Sequence, residues 1–348
     1  MTPESTFPSR RQVKGLEKMA VNTRSAVLAG AALAAASLLV TACNTGQIGQ
    51  TGGGGVNTKQ MVLITGVAAE PFYISMRCGA EAEAKAKGYQ LTTQEPTQFS
   101  PSSQIPIVTG VLANKPGAVL IAPTDDKALA DPMKQLKDAG IKVIEVDTKL
   151  ADSSIALSTV SSDNEQGGKK AADALAKLVG GKTGSVAVLN TRAGTSTTDA
   201  REKGFAEQIK NYPNIHYIGQ QYTDDQADQA TSKLTALISS TPDLVGVFAT
   251  NLDTGEGAVT GMRTAGKTGQ IALVGFDTSP KEVDGLKNGD FQALITQDPV
   301  AIGRIGVDQA DAALTGGKVT RQIPTDLVAI TRDNLEQNSK YIYQTNCG

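Results

Sequence analysis

From Gln60 onward the chain alternates short runs of Val, Ile and Leu with longer amphipathic stretches, and this rhythm restricts the fold more than any other feature. The runs fall at 61–65, 90–93, 118–122, 142–146, 155–160, 185–189, 216–219, 245–249, 271–275 and 292–296. Apolar runs that are continuous, as opposed to alternating, indicate strands buried on both faces. Helical periodicity occupies intervening segments such as 72–87, 127–139, 165–179 and 226–239, and Ala139-Gly140 supplies a stop before the next strand. Repeated βα units in this order predict parallel sheets with helices on both faces. Ten strands are too many for one compact sheet in a chain of 348 residues, so the reading is an α/β protein with two Rossmann-like sheets. In such sheets ligands bind beyond the carboxyl ends of the strands.

Charge and composition remove several function classes. Lys+Arg (33) nearly balance Asp+Glu (35), which leaves no electrostatic footprint for nucleic acid. One histidine, His216, and three cysteines do not make a His/Cys zinc site. The segment Gly261-Met262-Arg263-Thr264-Ala265-Gly266-Lys267-Thr268 matches a phosphate-loop pattern letter by letter. A phosphate loop needs a strand before it and a helix after it. Here a helical stretch precedes and a strand run follows, so the Gly-Lys-Thr belongs to a helix C-terminus, as does Gly181-Lys182-Thr183. No nucleophile elbow, His-based triad or metal-ligand run supports an enzyme, and no cofactor is implied.

The N-terminus reads as an address. Arg10, Arg11, Lys14, Lys18 and Arg24 precede an apolar run, 26–40, that is short for a membrane span. It ends in Val40-Thr41-Ala42-Cys43, which resembles a bacterial lipobox. Residues 1–42 are therefore expected to form a signal peptide, with Cys43 acylated as the first residue of the exported chain; translation from Met19 would also give a complete signal. Residues 43–58, rich in Gly, Thr and Gln, read as a flexible tether. The remaining cysteines, Cys78 and Cys347, invite a single disulfide in an oxidising compartment, with two free thiols as the alternative.

Polar side chains recur where the strands end. Glu70-Pro71-Phe72-Tyr73 follows the first run, Asp147-Thr148 the fourth, and Ser162-Asp163-Asn164 with Gly167-Gly168 the fifth. Arg192-Ala193-Gly194-Thr195-Ser196 and Arg201 follow the sixth, Asn251 the eighth, Phe276-Asp277 the ninth and Gln297-Asp298-Pro299 the tenth.

This series, together with Ala122-Pro123-Thr124-Asp125, Gly204-Phe205 and Val247-Phe248-Ala249-Thr250, resembles the ribose/galactose-type periplasmic binding proteins of ABC importers over about residues 60–335. The resemblance implies the type I fold, two Rossmann-like lobes joined by a three-segment hinge near 160–163, 296–299 and 324–328. The expected lobes are 59–161 plus 298–325 and 162–297 plus 326–334, with a C-terminal tail at 335–348. It implies an extracytoplasmic monomer, held to the outer face of the bacterial cytoplasmic membrane by lipid alone, that closes on a small sugar and hands it to a permease. A receptor that presents a sugar or an autoinducer-2-like signal to a membrane sensor is the alternative. Phe72, Tyr73 and Phe276 would pack on the ligand, and Asp147, Arg201, Asn251, Asp277 and Gln297 would bind its hydroxyls. Ser162, Arg192, Glu70 and Asp225 complete the candidate set. Some of these side chains could instead cap helices or brace the hinge, Phe276 and Gln297 above all.

Three departures bear on the ligand. Ribose binders of this type carry Asn at the position of Glu70, Arg at that of Thr148 and an aromatic near Asp225. The resulting excess of carboxylate repels anions and favours a neutral sugar, polyol or cyclitol; a cationic ligand becomes conceivable.

Overall fold

The structure is a computed structural model that describes residues 55–348. The expected signal segment, Cys43 and residues 44–54 of the tether lie outside the described residues. In chain order the first half runs β1 (Asn57–Ile64), α1 (Pro71–Ala86), β2 (Gln90–Gln94), α2 (Pro101–Asn114), β3 (Pro116–Ile121), α3 (Ala130–Asp138), β4 (Lys142–Val146) and β5 (Ser158–Ser162). The second half runs α4 (Asn164–Val179), β6 (Gly184–Asn190), α5 (Ser196–Gln208), β7 (Ile215–Tyr222), α6 (Ala227–Ser240), β8 (Leu244–Ala249), α7 (Leu252–Thr264), β9 (Ala272–Phe276), α8 (Pro280–Asn288) and β10 (Ala293–Gln297). Then come α9 (Pro299–Thr315), β11 (Gln322–Thr325) and β12 (Leu327–Ile330).

The strands form two six-stranded sheets, ordered β2-β1-β3-β4-β5-β11 and β7-β6-β8-β9-β10-β12. Every pairing is parallel except β10 with β12. In both sheets the strand order reverses beside the first strand of the half, at β1/β3 and at β6/β8, which is where ligand crevices open in doubly wound sheets. The chain passes between the sheets after β5, after β10 and between β11 and β12.

Local sequence accounts for the main elements. Strands β3 and β6 are buried at every position, as their uninterrupted apolar runs require. Strand β2 alternates exposed and half-buried residues because it forms a sheet edge, which corrects its reading as a strand buried on both faces. The run at 155–160 also divides. Ile155 and Ala156 are buried in a connection, and the strand itself is Ser158–Ser162, the stretch able to pair with both β4 and β11. Strand β1 begins at Asn57, inside the stretch read as tether. Helix α2 is absent from the expected helices because Pro101, Pro106 and Gly110 blur its pattern, although Pro101 stands in its first turn, where proline is tolerated. The phosphate-loop look-alike spans the last turn of α7 and the connection toward β9, with Gly266 at φ +64° closing the helix.

Both sheets carry helices in close backbone approach. In the first, a Cβ at Gly79 of α1 would lie 2.1 Å from the Val300 carbonyl oxygen, and one at Gly303 of α9 would lie 1.9 Å from that of Met76. In the second, a Cβ at Gly168 of α4 would lie 1.8 Å from the Arg201 carbonyl oxygen, and one at Gly204 of α5 would lie 2.0 Å from that of Glu165. Any side chain at these positions forces the helices apart. Gly303→Ala and Gly168→Ala are therefore each expected to lower stability by about 1–3 kcal/mol in urea unfolding. Gly110→Ala, where a Cβ meets open space in α2, is expected to be neutral or stabilising. Unchanged stability in the two former variants would contradict the close-packed geometry.

Candidate functional site

The carboxyl ends of the two sheets face each other across a closed cleft. Its mouth is bridged by the Asp126 N–H donating to the Gly194 carbonyl (2.9 Å) and the Lys149 N–H donating to Ser196 Oγ (2.9 Å). Arg192 Nη1 reaches the Phe99 carbonyl at 3.5 Å. Behind the mouth lies a small cavity lined by Glu70, Tyr73, Asp147, Arg201, Asn251 and Asp277 among others.

Two aspartates end corresponding strands of the two sheets, Asp147 after β4 and Asp277 after β9. Both have left-handed backbone, φ +64° and +92°, yet each N–H continues the ladder, to the Val160 carbonyl (2.8 Å) and the Ile295 carbonyl (2.7 Å). Positive φ is uncommon outside glycine, with Asp and Asn the usual exceptions, and such strain clusters at functional sites. The twist takes each side chain off the strand and into the cavity lining.

Partners hold both carboxylates. Asp147 Oδ2 accepts from the Tyr73 hydroxyl (3.0 Å). Asp277 Oδ1 accepts from Gln297 Nε2 (2.9 Å) and from the Tyr343 hydroxyl (2.7 Å). Gln297 is itself fixed by Ser162 Oγ, which donates to its Oε1 (2.9 Å).

Arg201 is the cation that lines the cavity, and it is 3% exposed. Its Nε donates to Asn164 Oδ1 (2.9 Å) and its Nη1 to the Thr250 carbonyl (2.7 Å). Its guanidinium lies 3.6 Å from the ring centroid of Phe276. Two of five N–H donors and one face of the fork thus lock its geometry, leaving donors for another partner. The near-contact of α4 and α5 sets the depth at which Arg201 sits.

Asp225 Oδ1 accepts from Asn251 Nδ2 (2.7 Å), while Asn251 Oδ1 caps α7 by accepting from the Thr254 N–H (3.1 Å). Glu70 stands at the N-terminal cap of α1 without a capping bond from its side chain.

The carboxylates crowd one another in a poorly solvated space. Burial pushes Asp147 up to about 7, against the opposing pull of Arg201 and the Tyr73 hydroxyl. Burial raises Asp225 to about 6, opposed by the Asn251 hydrogen bond and by Arg192. Glu70 is held well above its ordinary range by burial and then by Asp225. Asp253, in the first turn of α7, rises to about 7 through burial and the charge of Asp225.

Of the twelve sequence-read candidates, Glu70, Phe72, Tyr73, Asp147, Arg201, Asp225, Asn251, Asp277 and Gln297 share the cavity lining. The other three stand behind it or at its mouth. Phe276 is fully buried beneath Arg201, so its assignment to the ligand face is corrected to a platform for the guanidinium. Ser162 holds Gln297, and Arg192 bridges the mouth to Phe99.

Residues missed from the sequence also line the cavity: Phe99, Thr191, Thr195, Thr197 and Thr198. Thr195 is 3% exposed, and its hydroxyl has no hydrogen-bond partner among the described residues, an arrangement suited to a polar guest. The Ala193-Gly194-Thr195-Ser196 segment was visible as a strand-end loop, but which of its hydroxyls points inward depends on the first turn of α5. Tyr343 reaches Asp277 from the C-terminal tail, where no strand-end signal exists.

Two α/β lobes meeting over a cavity of strand-end carboxylates, one locked guanidinium and an unpartnered threonine hydroxyl define a ligand-clasping binding protein. Residues 61–318 match the periplasmic binding protein domain family, and the chain belongs to that family. It is 32% identical over 272 residues to the ribose import binding protein of Salmonella typhimurium, covering 78% of this chain and 90% of that protein. It is 27% identical over 317 residues to a xylitol-binding protein of Mycolicibacterium smegmatis, covering 91% and 88%. A crystal structure of an ABC transporter solute-binding protein from Agrobacterium vitis, bound with α-D-tagatopyranose, superposes with a TM-score of 0.80 at 40% identity. That match covers 82% of this chain and 99% of the other. Among the described residues no helix is long and apolar enough to cross a membrane.

The raised carboxylates fix a pH dependence. The folded protein keeps protons on Asp147 where the unfolded chain has lost them, so this group's contribution to stability falls as pH rises from about 4 to about 7. Asp147→Asn removes that term. The melting temperature of the wild type relative to this variant is expected to drop across that window, and a difference independent of pH would contradict the buried-carboxylate geometry.

Proposed function

We propose that this chain captures a small neutral sugar or polyol between its lobes and delivers it to the permease of an ABC importer. The observation that carries the reading is the cavity itself. Glu70, Asp147, Asp225 and Asp277 converge there with Arg201 and Asn251, a set of strong acceptors and a few donors. A sugar hydroxyl both donates and accepts, and it is costly to bury unless both roles are met. Ionised partners make the stronger bonds. Carboxyl groups outnumber the one lining guanidinium, and those that are ionised repel a sugar acid or sugar phosphate. Phe72, Tyr73 and Phe99 offer apolar surface for the carbon face of the ligand. The ribose, xylitol and tagatose ligands named for the similar proteins belong to the same neutral, hydroxyl-rich class.

Closure supplies the mechanism. Asp147, Tyr73 and Glu70 come from the half built on the first sheet, and Arg201, Asn251 and Asp277 from the half built on the second. A ligand that bonds to both halves stabilises only the closed arrangement, so binding shifts the open–closed equilibrium. The three passages of the chain between the sheets serve as hinges, with lobe boundaries at 297/298, at 325/326 and at 162/163, one residue beyond the sequence expectation because Ser162 completes β5. The closed surface is what the permease reads. Export followed by acylation of Cys43 would hold this monomer at the outer face of the membrane.

The test uses calorimetry with D-tagatose, D-ribose and xylitol as probes. Asp277→Ala and Arg201→Ala are each expected to weaken binding at least 100-fold, about 2.7 kcal/mol, while circular dichroism shows a folded protein. Near-normal affinity in both variants would place the ligand elsewhere.

A further inference from the structure

The C-terminal tail crosses from one lobe to the other. At its start Leu335 and Tyr341 pack on the core of the second sheet, beside residues such as Leu286, Phe291 and Ile330. Both Thr278 and Thr296 donate their hydroxyls to the Tyr341 carbonyl, and the Tyr343 N–H donates to the Thr278 carbonyl (3.0 Å). The next residues belong to the first sheet. The Gln344 N–H donates to Ser75 Oγ of α1 (2.7 Å), and Cys347 forms a disulfide with Cys78 of the same helix.

Tyr343 sits at the crossing. Its ring is 4% exposed and packs edge-on against Phe72, with centroids 5.8 Å apart, inside the core of the first sheet. Its hydroxyl points the other way, donating to Asp277 Oδ1 (2.7 Å) and accepting from the Gln297 N–H (3.3 Å). It therefore engages two cavity-lining residues at the ends of β9 and β10 without lining the cavity itself.

We propose that the tail is a fourth connection between the lobes, locked by the Cys78–Cys347 disulfide, and that it delivers Tyr343 as a positioning residue for the ligand site. The proposal rests on the sugar-clamp reading above only for its affinity readout. Tyr343 and Gln297 together occupy Asp277 Oδ1, which fixes the rotation of the carboxylate and leaves Oδ2 to receive a ligand hydroxyl. Without the tail the carboxylate loses one of its two donors and is free to rotate. The disulfide matters because the tail beyond Tyr343 has little else to hold it; residues 344–348 are exposed to solvent.

The test compares Tyr343→Phe, the disulfide-less variant Cys78→Ser/Cys347→Ser, and the variant carrying all three changes. Each is titrated with D-tagatose, D-ribose and xylitol. Tyr343→Phe and the disulfide-less variant are each expected to weaken binding about tenfold, and the combination to weaken it no further, because both act through one hydroxyl. Wild-type affinity for Tyr343→Phe, or additive losses, would overturn the proposal. A second readout needs no ligand. In protein carrying 13Cζ-tyrosine, the resonance that Tyr343→Phe abolishes is expected to move to the solvent-exposed position once the disulfide is gone. A resonance that stays in place would show that the tail docks unaided and would remove the locking role. If no probe binds the wild type, the sugar reading fails, and this resonance alone decides the tail.

Discussion

The structure depends on keeping several carboxyl groups buried in one cleft. A carboxylate removed from water must find donors or give up its charge, and the molecule uses both solutions. Asp277 is satisfied by Gln297 and Tyr343, Asp147 by Tyr73 with the field of Arg201, and Asp225 by Asn251. Burial still raises Asp147 and Asp225 toward neutrality. A guest that donates hydroxyl hydrogens into such a site completes bonds that the protein leaves open, and it does so without bringing a charge of its own.

The two halves solve this problem in the same way. Each runs its strands in the same order, each ends one strand in an aspartate with left-handed backbone, and each brings two helices together through paired glycines. The consequences differ by side. In the first half the glycine contact seats α1, which carries Phe72 and Tyr73; in the second it seats α5, which carries Arg201. Backbone proximity thus sets where the side chains of the cleft stand within each half.

Much of this was readable from the residues alone. Asp147, Asp277, Asn251 and Gln297 stand at or within two residues of the ends of buried strands, and a parallel sheet leaves such residues one place to go. The depth of a side chain was less legible. Phe276 and Asp277 are neighbours at one strand end, yet the ring lies beneath Arg201 while the left-handed backbone of Asp277 turns its carboxylate into the cavity. The threonines at 195, 197 and 198 were hidden because their direction is set by the first turn of a helix, whose phase a sequence gives only to within a residue or two. Tyr343 was out of reach altogether: its contact with Asp277 spans 66 residues and depends on where a disulfide anchors the tail. Strands β11 and β12, four residues each and mostly half-exposed, lack the hydrophobic density that marks their neighbours.

The central claim is that two halves close over one uncharged, hydroxyl-rich molecule. Small-angle scattering combined with calorimetry over a panel of neutral monosaccharides and sugar alcohols tests it most directly. The account predicts that at least one compound releases or absorbs measurable heat and, at saturation, reduces the radius of gyration of the protein. Flat titrations and an unchanged scattering curve across the whole panel would contradict it.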